Sequence, residues 1–105
     1  MSAGGRLRAM LALAEMPFID CPSLAAVCGM AERSAYEAVA DLERIGLAAN
    51  VPHAVYPVRP MRRFHLTGFG LSLLALERGI AIDELLGSYP VSRAWLRILL
   101  GRLDA

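Results

Sequence analysis

All the fixed positive charge of this 105-residue chain is carried by eleven arginines, with no lysine, and three of them lie in a stretch without a single acid. These are Arg59, Arg62 and Arg63. An arginine presents five N–H donors in a planar fork, which suits phosphate oxygens and the O6/N7 edge of guanine. The charge is unevenly spread. Residues 1–50 hold four Arg and six acids, a net −2, and residues 51–76 hold the three Arg alone, a net +3. From Glu77 onward four Arg balance four acids. A second group able to do polar recognition is Arg33, Ser34, Tyr36 and Glu37, all within five positions.

Other reactive residue types form weaker patterns. Cys21, Cys28, His53 and His65 are zinc-type ligands, but their spacing matches no compact zinc motif. The better reading is buried or half-buried thiols. No Ser/His/Asp arrangement, pair of acids at catalytic spacing or glycine-rich phosphate loop occurs. An enzyme is therefore not expected, and neither is a cofactor.

The elements that position these groups follow from apolar spacing. Arg6 to Met16 reads as a helix with Leu7, Met10, Leu11 and Ala14 on its buried face, ended by Pro17. Ser23 is the expected N-cap of a second helix with Leu24, Val27 and Cys28 inside, stopped by Gly29. After a short turn, Ala35, Ala38, Val39, Leu42 and Ile45 keep three/four spacing until Gly46. Two short helices joined by a glycine-containing turn make a helix-turn-helix. Leu47 to Val51 and Met61 to Leu66 read as strands, with the proline-rich PHAVYPVRP as a semi-rigid extended tip between them. Phe18 and Ile19 plug the core, and FIDCP is compatible with a short strand.

Thr67 caps the next helix, which runs to Gly79; Gly68 and Gly70 weaken its first turn by up to about 1 kcal/mol each relative to Ala. Asp83 to Leu86 forms a short turn. Ser92 caps a last helix, Arg93 to Leu103, whose Trp95, Leu96, Ile98, Leu99, Leu100 and Leu103 leave little polar surface. Residues 1–90 thus form one domain and 91–105 a C-terminal helix for dimerisation or for joining a further region. The apolar share is 56% before glycine is counted, high for so small an interior, which also points to a second subunit or a longer protein.

Two stretches carry a family resemblance. GMAERSAYEAVADLERIGL resembles the second half of a bacterial winged helix-turn-helix, with Gly29, Met30, Ala35, Ala38, Leu42, Glu43, Gly46 and Leu47 in register and without gaps. FHLTGFGLSLLA is similar to the segment that closes the wing and opens the next helix in such domains. The matches cover residues 6 to 78. Ala31 departs from the pattern, because that position is usually a Ser or Thr cap.

The resemblance is to MarR/PadR-type repressors and, somewhat more, to the DNA-binding part of plasmid replication-relaxation proteins. It implies a mainly α fold with a small β-hairpin and an extra C-terminal helix. It also implies double-stranded DNA as the partner. Arg33, Ser34, Tyr36 and Glu37 would then lie at the base-reading end of the recognition helix, with Asp41 and Glu43 turned away from the groove. Arg59, Arg62 and Arg63 would clamp the backbone from the wing, with Arg6 or Arg8 adding a phosphate contact. A homodimer through helix one and the C-terminal helix, acting in repression or in plasmid or phage replication control, is the expected context. The recognition helix is net −2, and this keeps open a winged helix that docks a protein and touches no DNA.

No run is long and apolar enough to span a membrane, and MSAGG is not a signal-peptide pattern. With two cysteines and no secretion signal, a reduced cytoplasmic setting is expected.

Overall fold

The computed structural model describes residues 3–51 and 62–104, and side chains over 4–51 and 62–98. His53, Arg59 and the expected wing tip lie outside the described residues. Among the described residues six helices and one antiparallel hairpin follow in the order α1 (Ala3–Glu15), α2 (Cys21–Cys28), α3 (Glu32–Arg44), β1 (Ala48–Asn50), β2 (Phe64–Leu66), α4 (Gly68–Arg78), α5 (Ile82–Ser88) and α6 (Pro90–Asp104). This is the winged helix-turn-helix, extended at its C-terminal end by two helices.

α1 is the axle. It packs against α2, α3, β2, α4 and α6, so its buried surface is broader than one stripe. Ala9, Met10, Leu13 and Ala14 are buried, whereas Leu7 is 36% exposed and Leu11 only half-buried. The expected face was rotated because periodicity gives alanine little weight. Here alanines let several neighbours approach the same helix closely.

α2 begins earlier than its Ser suggested. Asp20 is the N-cap, its Oδ1 accepting from the Ser23 amide at 2.8 Å. Ser23 is one turn inside. Pro22 lacks an N–H and has a fixed φ, which suits a first turn and draws the helix start back to Cys21. Leu24 and Ala25 are buried, while Val27, expected inside, is 56% exposed. Gly29, at φ 63°, ψ 39°, closes α2 in the left-handed conformation that costs glycine least. α3 then buries Ala35, Ala38, Val39 and Leu42; Ile45 is its C-cap residue and is largely exposed.

The hairpin register pairs Ala48 with Leu66, Ala49 with His65 and Asn50 with Phe64. The backbone groups of Phe64 turn to the opposite edge of the strand: its N–H donates to Ile19 O at 3.2 Å and its carbonyl accepts from Phe18 N at 2.8 Å. FIDCP therefore contributes a single bridge before α2 starts. Phe18 sits at φ 80°, an unusual conformation for a residue with a side chain.

Thr67 caps α4 as expected. Its Oγ1 accepts from Gly70 N at 3.0 Å and donates to Gly46 O at 2.7 Å, tying the end of α3 to the start of α4. α5 is a seven-residue helix with Asp83 and Glu84 in its first turn, where the helix dipole favours them. α6 starts at Pro90, not Arg93, so Ser92 is not its cap. The buried Ser92 hydroxyl donates instead to Ala14 O on α1. Trp95 is buried between Phe18 (ring centroids 4.8 Å apart) and His65 (5.4 Å).

The two glycines of α4 have opposite roles. A Cβ on Gly70 would overlap the Leu47 carbonyl, the acceptor of Thr67 N, whereas one on Gly68 would meet only Leu96 Cδ1 at 3.6 Å. Gly70 is thus a close-approach residue and not merely a weak helix former. Gly70→Ala is expected to destabilise by about 1–3 kcal/mol, and Gly68→Ala to stabilise by up to about 1 kcal/mol. Urea unfolding of the two variants checks both signs.

Candidate nucleic-acid interface

With about 100° of turn per residue, burial of Ala35, Ala38, Val39 and Leu42 fixes which side of α3 faces out. Arg33, Glu37, Ala40 and Arg44 run along the outward crest, and all four are exposed. Tyr36, 54% exposed, and Glu43 flank this crest on one side, with Asp41 on the other. Ser34 is half-buried. Ala40 in the middle of the crest keeps it low, so a flat partner can come close to the helix. Ala31 caps α3 in extended conformation without a side-chain hydrogen bond, so the first-turn amides of α3 receive no acceptor from the cap side chain.

The hairpin places its two described arginines on opposite sides, as strand alternation requires. Arg62 turns toward α3. Its Nη2 donates to Glu43 Oε2 at 2.8 Å and its Nε to Asn50 Oδ1 at 3.0 Å. Its guanidinium lies over the Phe64 ring, 5.0 Å from the centroid. Glu43, read from the sequence as pointing away from the site, is therefore the carboxylate that links recognition helix to wing. Arg63 turns inward. It is half-buried, its Nη1 donates to Phe18 O at 3.0 Å, and it stands 4.0 Å from Asp20 Oδ2. It fastens β2 to the turn before α2. The Asp20 carboxyl is held below its ordinary pKa, chiefly by hydrogen bonds from the Ser23 amide and hydroxyl, with Arg63 adding to this.

Between α3, β2 and the start of α2 lies a cleft of about 570 Å³, walled by Tyr36, Ala40, Glu43, Arg62 and Phe64, with Asp20 at its far end. The sequence-marked residues on the outward side are thus Arg33, Ser34, Tyr36, Glu37 and Arg62. Arg63 joins them only through its backbone neighbours. Arg8, offered above as a phosphate ligand, donates from Nη1 to Cys28 O at 3.0 Å and so closes the end of α2. Sequence reasoning missed Glu43 and Asn50 as holders of Arg62. The available signal was that Asn50 and Arg62 flank the hairpin.

Neither cysteine is poised for chemistry. Burial, then the Asp20 charge, pushes the Cys21 thiol up to about 11, and burial raises Cys28 as well. They lie at opposite ends of α2. Among the described residues no group of three or more His, Cys, Asp or Glu is placed to hold a metal ion. Among the same residues no helix is long and apolar enough to cross a membrane.

No family model and no curated protein matches the chain. Solved structures do. A MarR family transcriptional regulator from Silicibacter pomeroyi superposes with a TM-score of 0.63 at 24% identity, over 95% of this chain and 68% of that one. The PcaV transcriptional regulator from Streptomyces coelicolor, solved with its natural ligand, gives 0.62 at 19% identity, over 99% and 74%. The transcriptional repressor CouR, bound to a 23-mer DNA duplex, gives 0.59 at 21%; the chain spans 93% of itself and 63% of CouR, less than two thirds of that protein. At such identities the likeness is one of fold, and the fold is the winged helix-turn-helix of MarR-type regulators.

His65, buried in β2 beneath this face, donates from Nδ1 to Leu66 O at 2.9 Å. Burial depresses its pKa, outweighing the backbone hydrogen bonds to Leu66 and Asn50 that raise it. With the folded pKa below the unfolded one, the unfolded chain binds the proton more readily. The stability contribution is complete above the ordinary pKa of about 6.5 and falls as pH drops through that value toward the lower folded one. Thermal melts between pH 7.5 and 5 are expected to show this loss, with a slope of at most about 1.4 kcal/mol per pH unit. His65→Gln should flatten that segment.

Proposed function

We propose that this chain binds double-stranded DNA in a sequence-specific manner, as a regulator of transcription or of plasmid or phage replication. The observation that carries this reading is the outward crest of α3 beside a hairpin that sets Arg62 at its flank, in a fold whose solved relatives include a repressor on its duplex. In this reading α3 enters the major groove, Arg33 donates to guanine O6/N7, and Glu37 accepts from cytosine N4. Tyr36 and Ser34 reach phosphate or base. Arg62 contacts the flanking backbone, and the charge of Arg59 in the same acid-free stretch suits it to the same role. Arg63 acts indirectly, by holding the hairpin in place.

The second reading, a winged helix that docks a protein, draws support from the acids on the same face: Glu32, Glu37, Asp41 and Glu43 outnumber Arg33 and Arg44 on α3. Selection of bound fragments from random DNA at two salt concentrations separates the two. Arg33→Ala is expected to relax the enriched motif. Arg62→Ala should weaken binding about equally on all duplexes and shallow the salt slope by about one unit. A protein that shifts no duplex at low salt leaves the docking reading in place.

We further propose a homodimer in which a second copy covers apolar surface on α1, α4 and α6. Leu7, Phe69, Leu76, Val91 and Ile98 are all exposed. Phe69 and Leu76 on α4, and Val91 and Ile98 on α6, are each seven residues apart and so share one side of their helix, which gives a second copy an apolar stripe to cover. Each copy would then present one α3 to a two-fold DNA site. Sedimentation should give twice the chain mass, and Leu76→Glu with Ile98→Glu should give monomers that keep their helical circular dichroism.

A further inference from the structure

Every described arginine on the candidate interface is matched by a carboxylate of that same interface. Arg33 Nε lies 3.3 Å from Glu37 Oε1, Arg44 Nη2 3.2 Å from Asp41 Oδ1, and Arg62 Nη2 2.8 Å from Glu43 Oε2. Arg63, turned inward behind this face, has its own acid, Nη1 standing 4.0 Å from Asp20 Oδ2. Glu32 adds one more acid, so the described part of this face carries a net −1. Non-specific affinity for a duplex comes from cations that replace counterions on phosphates. A face charged this way has almost none of that term to offer, and its carboxylates would stand against the phosphates.

The three pairs that engage α3 differ in how firmly they are held. Arg33 is 90% exposed at its side chain and its ion pair is loose. Arg62 is fixed by Glu43, by Asn50 and by the Phe64 ring together. Resting on the DNA-binding reading above, we propose that Glu37, Asp41 and Glu43 determine specificity by withholding Arg33, Arg44 and Arg62 from phosphates of an arbitrary sequence. A phosphate can satisfy an arginine, but on a face from which the duplex has displaced water it leaves the carboxylate beside a polyanion and without a donor. A G·C pair satisfies both, because guanine accepts at O6 and N7 while cytosine donates from N4. The Arg33–Glu37 pair opens without loss only over such an edge. Glu43 is a positioning residue in this scheme: it keeps Arg62 on the wing base until the duplex is seated.

The test compares the wild-type chain with a variant carrying Glu37→Gln, Asp41→Asn and Glu43→Gln. Both are titrated with a random-sequence duplex and with a duplex enriched by selection on the wild type, across a salt series. The expected result is at least tenfold tighter binding of random duplex by the variant. Its salt slope should steepen by up to about three units, and the ratio of selected to random affinity should fall. Glu43→Gln alone should steepen the slope by about one, and serves if the triple variant does not fold. The inference is overturned if the wild type binds the selected duplex while neither variant gains affinity for random duplex or steepness. A wild type that binds no duplex at low salt overturns the DNA-binding reading, and this inference with it, whatever the variants do.

Discussion

The strand segment around Phe64 is hydrogen-bonded along both of its edges, and the geometry of the whole interface depends on that. On the hairpin edge the Arg63 carbonyl accepts from Val51 N at 2.8 Å and Thr67 N donates to Leu47 O at 3.0 Å, with Phe64 opposite Asn50 between them; on the other edge Phe64 itself exchanges bonds with Phe18 and Ile19 ahead of α2. With the Phe64 ring buried, a strand period of two leaves no freedom at the neighbouring positions. Arg62 must share the Phe64 face, over its ring and toward α3. Arg63 and His65 must share the other, beside Phe18 and Trp95. A shift of one residue would exchange the two arginines and send the Glu43 partner into the core.

The extra C-terminal helices reinforce that register from behind. Trp95 of α6 packs edge-on against both Phe18 and His65, and Ser92 binds the last turn of α1. The unusual backbone at Phe18 is what lets its carbonyl reach Arg63 while its ring meets Trp95. Gly70 completes the arrangement by letting α4 close onto the Leu47 carbonyl at the junction of α3 and β1. Recognition helix, hairpin and α6 are in this way joined through a few side-chain and backbone contacts.

The electrostatic character of the face follows from the same geometry. The acids on α3 look from the sequence like a solvated surface at odds with a DNA-binding helix. In three dimensions Glu37, Asp41 and Glu43 each meet an arginine, two of them within α3 and one across the cleft on the hairpin. Exposed pairs of this kind add little to stability. Their effect is on what the face will accept, because they set how much positive charge is open to a polyanion.

Much of the architecture was legible in the residues. The spacing of Ala35, Ala38, Val39 and Leu42, the stops at Gly29, Gly46 and Gly79, and the Thr67 cap each rest on interactions within about one helical turn, so local sequence determined them. The weak Ala31 cap was legible for the same reason. Other features were decided only by tertiary structure. Ser23 and Ser92 looked like caps, but Pro22 and Pro90 could begin the helices earlier. Ser92 then found its acceptor 78 residues away. The buried side of α1 depended on five neighbours, and the partners of Arg62 and Arg63 on chain pairing 12 to 45 residues distant. Side-chain type and period reveal what a segment can become; which charge meets which is a property of the closed chain, where contacts remote in sequence compete for the same few atoms.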